Sequence, residues 1–249
     1  MPLADIGEAS LDYLDEGDGF PILLIHGFAS RKEINWVNTG WIRTLVQEGY
    51  RVIAFDNRGH GQSTRFHEID RYSLPVMADD ALGLLDHLGI AKAHVMGYSM
   101  GARITSRLAI DHGNRLERIV LAGNGYGMID GGGDWDVVRE ALLAEDPASV
   151  SDARGIAFRS FADSTGSDRI ALAACVTGVR ETFSEAEFGL IRNPALVTIG
   201  TDDDVAGSGE KLAELIPNGV FMPIPGRDHM KAVGDRVYKQ NVVSFLAGA

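Results

Sequence analysis

A serine stands between two glycines in residues 97–101, which read G-Y-S-M-G. An apolar run of strand length precedes this segment, and the apolar spacing after it predicts a helix that begins at Met100. A sharp turn from strand to helix would expose the serine hydroxyl and leave the backbone N–H of Met100 free at the positive end of the helix dipole. Ser99 is therefore a candidate nucleophile.

A serine hydroxyl reacts slowly at neutral pH unless a neighbouring base takes its proton and an acid orients that base. Gly97 and Gly101 suit such a site because they leave space where the strand and the helix approach each other closely. The pentapeptide by itself does not say which residues supply the base and the acid. The elements that could bring them to Ser99 must be found in the rest of the chain.

The composition predicts one large α/β domain with room for a modest insertion, since the chain has 249 residues of which 45% are hydrophobic. A net charge of -12 argues against nucleic acid or an anionic membrane surface as the main partner, but it says little about a small-molecule substrate, for which the local field at the pocket decides. The sequence shows no signal peptide and no apolar run of transmembrane length, and Cys175 is its only cysteine, which rules out an internal disulfide. We therefore expect a cytoplasmic protein without membrane insertion, whose oligomeric state the sequence leaves open.

Apolar runs and helical patterns alternate along most of the chain. Strands are predicted within residues 2–16 and at 21–25, 51–55, 93–96, 116–122, 195–200 and 220–224. Helices are predicted at 36–48, 74–88, from 100, near 208–216 and at 231–246. This alternation predicts a mostly parallel, doubly wound sheet, in which functional sites lie beyond the carboxyl ends of the strands.

Three segments at strand ends together resemble the α/β-hydrolase superfamily, and the resemblance extends over essentially the whole chain. They are H-G-F at 26–28, D-N-R-G-H-G-Q-S at 56–63 and the G-x-S-x-G segment at 97–101. The resemblance implies an α/β-hydrolase core formed by residues 1–124 and 192–249. Residues 125–191, where the alternation stops and short helices are expected, would form an inserted helical cap.

Members of this superfamily carry their catalytic residues in the order serine, acid, histidine. Only two histidines follow Ser99, and His112 would lie at the far end of the helix that begins at the turn. The resemblance therefore implies that His229, in the loop after the last strand, is the base.

The acid is expected after the strand that precedes His229, where three aspartates stand together at 202–204. Superfamily members typically place it three residues after the glycine that ends this strand, which selects Asp203 rather than Asp202 or Asp204. Some families use the preceding strand end instead, but this chain has Asn124 there.

The resemblance also implies that the backbone N–H groups of Phe28 and Met100 form an oxyanion hole. We expect His26 to be a hydrogen-bonded structural residue, Arg58 to brace neighbouring turns, and His60 to lie in a loop or at the surface. No paired Cys/His spacing suggests a metal, and no dinucleotide fingerprint follows a strand, so no cofactor is expected.

The implied function is that of a serine carboxylesterase, which hydrolyses uncharged, moderately apolar esters through an acyl-enzyme. The apolar residues of the cap would set that preference, although Arg154 or Arg159 near the pocket would favour an anionic substrate. Alternatives are a cofactor-free haloperoxidase or perhydrolase and a carbon–carbon bond hydrolase, whose H-G-x-G-P-G loop is absent here. A ligand receptor built on the hydrolase fold, with little turnover, is a further alternative.

Overall fold

The computed structural model describes residues 2–248, and its centre is an eight-stranded sheet. The strands are β1 (Leu3–Ile6), β2 (Ala9–Glu16), β3 (Phe20–Ile25), β4 (Tyr50–Phe55), β5 (Ala93–Tyr98), β6 (Leu116–Ala122), β7 (Ala195–Thr198) and β8 (Gly219–Phe221). Their order across the sheet is β1-β2-β4-β3-β5-β6-β7-β8. The two N-terminal strands pair antiparallel and the other six run parallel. The predicted fold class is confirmed.

Ten α-helices lie within residues 2–248. They are α1 (Trp41–Gln47), α2 (Leu74–His87), α3 (Met100–His112), α4 (Gly127–Asp130), α5 (Asp136–Leu143), α6 (Ala153–Thr165), α7 (Arg169–Gly178), α8 (Glu185–Phe188), α9 (Gly209–Leu215) and α10 (Arg236–Ala247). Helices α2, α3 and α9 contribute to an apolar core on one face of the sheet, whereas α1 and α10 cover the other. Covering both faces explains why all six residues of β5 and the last four of β3 are buried.

Two predicted helices are shorter than the sequence pattern suggests. Residues 36–48 are divided between a π-helical turn at Glu33–Val37 and α1, because Gly40 adopts a left-handed conformation (φ 78°) that ends the first segment. The closing helix was expected from residue 231 but begins at Arg236, where the side chain of Asp235 caps the N-terminus by accepting from Val237 N. The loop that contains His229 is therefore longer than predicted.

Helices α4 to α8 follow β6 and precede β7, in the stretch where the sequence predicts a cap. Helix α5 packs against α6 and α7. Arg159 holds this group together, since it donates to the carbonyl oxygens of Ala141 and Ala144 and pairs with Asp163 at 2.9 Å. Within residues 2–248, no helix is both long and apolar enough to cross a bilayer.

Candidate active site

The turn between β5 and α3, residues 97–101, is an elbow that holds Ser99 in a strained backbone conformation, with φ 55° and ψ -113°. Its N–H donates to the carbonyl oxygen of Ala122 on the neighbouring strand at 2.7 Å. No side chain fits at either flanking glycine. A Cβ on Gly97 would lie 2.1 Å from the carbonyl oxygen of Gly101, and a Cβ on Gly101 would lie 2.0 Å from the carbonyl oxygen of Ile25. Both glycines therefore allow the close approach that presents the hydroxyl.

Ser99, His229 and Asp203 form one continuous hydrogen-bonded chain. The Nε2 atom of His229 lies 3.0 Å from Ser99 Oγ, and its Nδ1 lies 2.8 Å from Asp203 Oδ2. In the tautomer that fits, Nδ1–H donates to the carboxylate and Nε2 accepts from the serine hydroxyl. This arrangement allows His229 to take a proton from Ser99 while Asp203 faces the positive charge that develops.

Asp203 is the one aspartate of the three that reaches His229. Its side chain is fully buried, and its second oxygen, Oδ1, accepts from the backbone N–H groups of Val205 and Ala206 at 2.9 and 3.0 Å. Asp202 and Asp204 are exposed. The two backbone donors keep the carboxylate in one orientation and stabilise its charge away from water.

Tyr98, the last residue of β5, holds the loop that carries His229, because its hydroxyl donates to the carbonyl oxygen of His229 at 2.5 Å. Burial, with the charges of Asp203 and Asp228, raises the pKa of the Tyr98 phenol well above its usual range. The hydroxyl is therefore protonated and able to donate at neutral pH. His112 lies at the end of α3, next to Asp79 and away from this site.

The loop after β3 passes close to the elbow. A Cβ on Gly27 would lie 3.4 Å from the Cβ of Ser99, and the Gly27 N–H donates to the side-chain oxygen of Asn35 at 2.9 Å. The N–H groups of Phe28 and Met100 donate to no acceptor within residues 2–248. Two free donors thus flank the serine, as an oxyanion hole requires. Sequence reasoning overlooked Asn35, which has no motif of its own.

Two buried histidines shape this loop through their ring nitrogens. His26 donates from Nδ1 to the carbonyl oxygen of Gly27 and accepts from Asn57 N at Nε2. His60 donates from Nδ1 to the Arg58 carbonyl and accepts from Ala29 N at Nε2. The structural role predicted for His26 is confirmed. His60 lies in a loop, one of the two places expected for it, but it is buried there and only 1% exposed.

Both histidines should make the protein sensitive to mild acid. Burial, together with the charge of His26, lowers the pKa of His60 from 6.5 to about 3, and burial lowers that of His26 too. Between pH 6.5 and about 3 the unfolded chain then binds more protons than the folded chain. We expect the free energy of unfolding to fall with decreasing pH by about 1.4 kcal/mol per unit from His60 alone.

Urea unfolding at pH 7 and pH 5 measures this effect. The His60→Gln variant should show a flatter pH dependence than the unmodified protein, although its stability at pH 7 is lower. His87→Gln provides the control, because His87 is exposed. A His60→Gln variant that loses stability between the two pH values as steeply as the unmodified protein would contradict the assignment.

A buried ion cluster also supports the loop after β3. Lys32 is fully buried and pairs with Asp12 at 2.6 Å and Asp56 at 3.0 Å. Burial opposes the charge of Lys32, but these carboxylates raise its pKa nonetheless. Arg58 braces the neighbouring turns as predicted: its Nε and Nη2 donate to the two carboxylate oxygens of Asp80 at 2.6 and 2.7 Å, and its Nη1 donates to the Arg71 carbonyl. Lys32 could not be singled out from sequence, because its acidic partners come from distant strands.

Two pockets meet at Ser99. The large pocket has a volume of about 180 Å³ and is mainly apolar. Its lining includes Tyr98, Phe158, Phe161, His229, Met230 and Val233. The small pocket has a volume of about 30 Å³. Its lining includes Met100, Arg103, Asn124, Trp135, Val176 and Arg180. Phe28 and Ser99 belong to both pockets, so the serine hydroxyl can reach a molecule that extends into each of them.

The arginines in the small pocket are not those that the sequence suggested. Arg159 is buried inside the helical insertion, and Arg154 faces an open groove that does not include Ser99. Arg103 and Arg180 line the small pocket instead. Helical spacing could have indicated Arg103, because it lies one turn after Ser99 on α3, with its N–H 3.4 Å from the Ser99 carbonyl oxygen.

Known proteins share this architecture. A non-heme haloperoxidase from Rhodococcus erythropolis is 30% identical over 99% of this chain and 99% of its own length. The structure of an enol-lactonase from Burkholderia xenovorans LB400 superimposes with a TM-score of 0.85, at 24% identity, covering 99% of this chain and 100% of that one. A thermophilic esterase from Thermogutta terrifontis gives a TM-score of 0.76 at 25% identity, covering 98% and 96%.

The family model described as the alpha/beta hydrolase fold matches residues 21–172, which include β3, the elbow and most of the helical insertion. This match covers more than half of the chain. With the observed strand order and the turn at Ser99, it shows that the chain belongs to the α/β-hydrolase family.

Proposed function

We propose that this protein is a serine hydrolase that cleaves carboxylic esters through an acyl-enzyme. The observation that carries the proposal is the hydrogen-bonded chain from Ser99 Oγ through His229 to Asp203. A serine that is paired with a base, itself oriented by a buried carboxylate, is equipped for acyl transfer. The family membership supports hydrolysis, and the ester as the bond cleaved is our inference.

In the proposed reaction Ser99 Oγ attacks the ester carbonyl carbon while its proton passes to His229 Nε2. The tetrahedral intermediate collapses as the carbon–oxygen bond breaks, and His229 returns the proton to the leaving alcohol. A water molecule then attacks the acyl-enzyme with His229 again as base, which releases the acid and restores the serine. The N–H groups of Phe28 and Met100 would stabilise the oxyanion in both steps.

We further propose that residues 125–191 act as the cap that selects the substrate. Phe158 and Phe161 on α6 face the large pocket, and Val176 with Arg180 borders the small one. Phe158 also packs against Phe28, with ring centroids 5.6 Å apart, so the insertion contacts the loop of the candidate oxyanion hole. The serine, base and N–H donors treat ester carbonyls alike, and discrimination must therefore come from these walls.

The relatives support two reactions at such a site. The esterase from Thermogutta terrifontis favours ester hydrolysis. The haloperoxidase from Rhodococcus erythropolis, alike over nearly its whole length, favours a second candidate in which hydrogen peroxide intercepts the acyl-enzyme and releases a peracid. Measuring peracid and acid formation from one ester in the presence of hydrogen peroxide separates the two.

A panel of p-nitrophenyl esters, together with a fluorophosphonate that labels activated serines, tests the proposal. We expect turnover of short esters and stoichiometric labelling at Ser99. A serine hydroxyl that is hydrogen-bonded to a basic nitrogen reacts with esters and with fluorophosphonates. Peptide mapping by mass spectrometry identifies the labelled residue. Labelling elsewhere, or no turnover of any ester, would contradict a serine esterase and favour a binding protein built on this fold.

A further inference from the structure

The small pocket contains a buried positive charge that forms no salt bridge with any acidic side chain of residues 2–248; the Glu181 carboxylate acts on it only from a longer distance. Arg103 is only 3% exposed. It donates from Nε to the carbonyl oxygen of Val179 at 3.1 Å and from Nη2 to that of Glu181 at 2.6 Å. Within residues 2–248 it forms no salt bridge, and its Nη1 has no hydrogen-bond partner. A buried charge is costly unless a partner of opposite charge compensates it.

A second guanidinium lies beside the first. Arg180 is half-buried, donates from Nη2 to the Gly131 carbonyl and stacks over the ring of Trp135, with its central carbon 4.7 Å from the ring centroid. It also lacks a salt bridge among the described residues. Burial and the neighbouring arginine charges lower the pKa of Arg103 to about 9 and that of Arg180 to about 10. Both remain protonated at neutral pH.

The hydrogen bonds from the two arginines to backbone carbonyl oxygens explain only part of their placement in the small pocket. The carbonyl oxygens that Arg103 binds follow the end of α7, where a positive charge stabilises the helix terminus. That role does not require a second, converging arginine, nor a free Nη1. No Asp or Glu lines the small pocket, and Asn124 adds an amide to it. A pocket with two cations and no acidic residue is suited to an anion.

The position of His229 shows which part of an ester would enter this pocket. The leaving alcohol must lie near His229 Nε2 to receive its proton. His229 lines the large pocket and the open groove that shares Ala157, Phe158 and Met230 with it, but not the small pocket. The leaving group therefore belongs in the large, apolar pocket. The acyl group points the other way, toward Arg103 and Arg180.

We propose that the preferred substrate is an ester whose short acyl chain ends in a carboxylate, bound by Arg103 and Arg180. This inference rests on the proposed ester hydrolysis and specifies its substrate class. A volume of about 30 Å³ holds roughly two water molecules, which leaves room for a carboxylate at the end of a short chain. The proposal replaces the sequence-based expectation of uncharged esters for the acyl side and retains an apolar leaving group.

A pair of benzyl esters of matched size tests this assignment. In benzyl hydrogen succinate the acyl chain ends in a carboxylate, and in benzyl levulinate a methyl ketone of nearly the same shape replaces it. We expect kcat/KM to favour the succinate ester on the order of 10- to 100-fold, because hydrogen bonds to charged groups contribute that much. Benzyl alcohol release, measured by chromatography, gives both rates.

The Arg180→Gln variant should lose most of this preference, mainly through a higher KM for the succinate ester, since the carboxylate is bound equally in ground and transition states. Arg180→Lys should keep part of it. Arg154→Gln is the matched control: Arg154 also stacks over Trp135, at 5.2 Å, but lines the open groove. It should keep the preference. Equal rates for the two esters, or an unchanged preference in Arg180→Gln, would overturn the proposal.

Binding of the same esters to the Ser99→Ala variant separates this inference from the proposed function. Calorimetric titration is expected to show tighter binding of benzyl hydrogen succinate than of benzyl levulinate. Preferential binding without turnover by the unmodified protein would support the anion site and contradict the esterase. Turnover of both esters with equal affinities would support the esterase and contradict the anion site.

Discussion

Replacing Ser99 with alanine is expected to lower kcat for ester hydrolysis by about 10⁴-fold or more. The substitution removes the only hydroxyl within hydrogen-bond distance of His229 Nε2 among residues 2–248. The fold should be retained, because the positive φ of Ser99 is imposed by the surrounding strands and by the two glycines that accommodate the turn. Turnover of p-nitrophenyl acetate and of the benzyl esters measures the loss.

Ser106→Ala is the matched control for this experiment. Ser106 lies on α3, the helix that Ser99 precedes, is fully buried, and donates only to the Ala102 carbonyl and the Met128 sulfur. We expect it to keep activity within a few-fold, since its hydroxyl lies outside both pockets. Near-normal turnover by Ser99→Ala in protein free of contaminating esterase would contradict the mechanism. Circular dichroism and the melting temperature verify that both variants fold.

The Asp203→Asn substitution is expected to reduce kcat by about 10⁴-fold, as loss of the orienting carboxylate does in other serine triads. An amide can present its NH₂ group to His229 Nδ1, which favours the tautomer that carries its proton on Nε2. That nitrogen can then no longer accept from Ser99. The negative charge that stabilises the imidazolium is lost as well.

Asp202→Asn and Asp204→Asn provide controls of the same type in the same turn. Both aspartates are exposed, so we expect activity within about threefold of the unmodified protein. The three variants are compared with one ester under one set of conditions. A large loss at residue 202 or 204 with residue 203 indifferent would show that the acid has been misassigned.

Local sequence patterns determined the architecture because they reflect local physics. The alternation of apolar runs with helical stripes predicted the parallel sheet, and the glycines two residues before and after Ser99 predicted the turn. The resemblance to the α/β-hydrolases implied the proposed roles of Asp203 and His229, and parallel strands bring their carboxyl ends to one edge of the sheet, where such residues can meet. The structure places both side chains in hydrogen-bond contact with their expected partners.

Only the tertiary structure could decide which polar side chains lose contact with water. His60 lies in a glycine-rich segment that is typical of a surface loop. Packing against the loop after β3 nevertheless buries it, and this burial lowers its pKa to about 3. Lys32 is likewise buried, where it pairs with Asp12 on β2 and with Asp56, which follows β4. A sequence gives the charge of such a residue but not the distant partners that compensate it.

The composition of the small pocket is the clearest case. Arg103 lies on α3 and Arg180 follows α7 in the inserted segment, 77 residues away in sequence. No periodicity relates the two, and the net charge of -12 says nothing about the sign of the local field. Their convergence beside Ser99 depends on how the insertion packs over the sheet. The sequence therefore predicted the candidate nucleophile and its hydrogen-bond partners, whereas the charge of the pocket beside them is determined by tertiary packing.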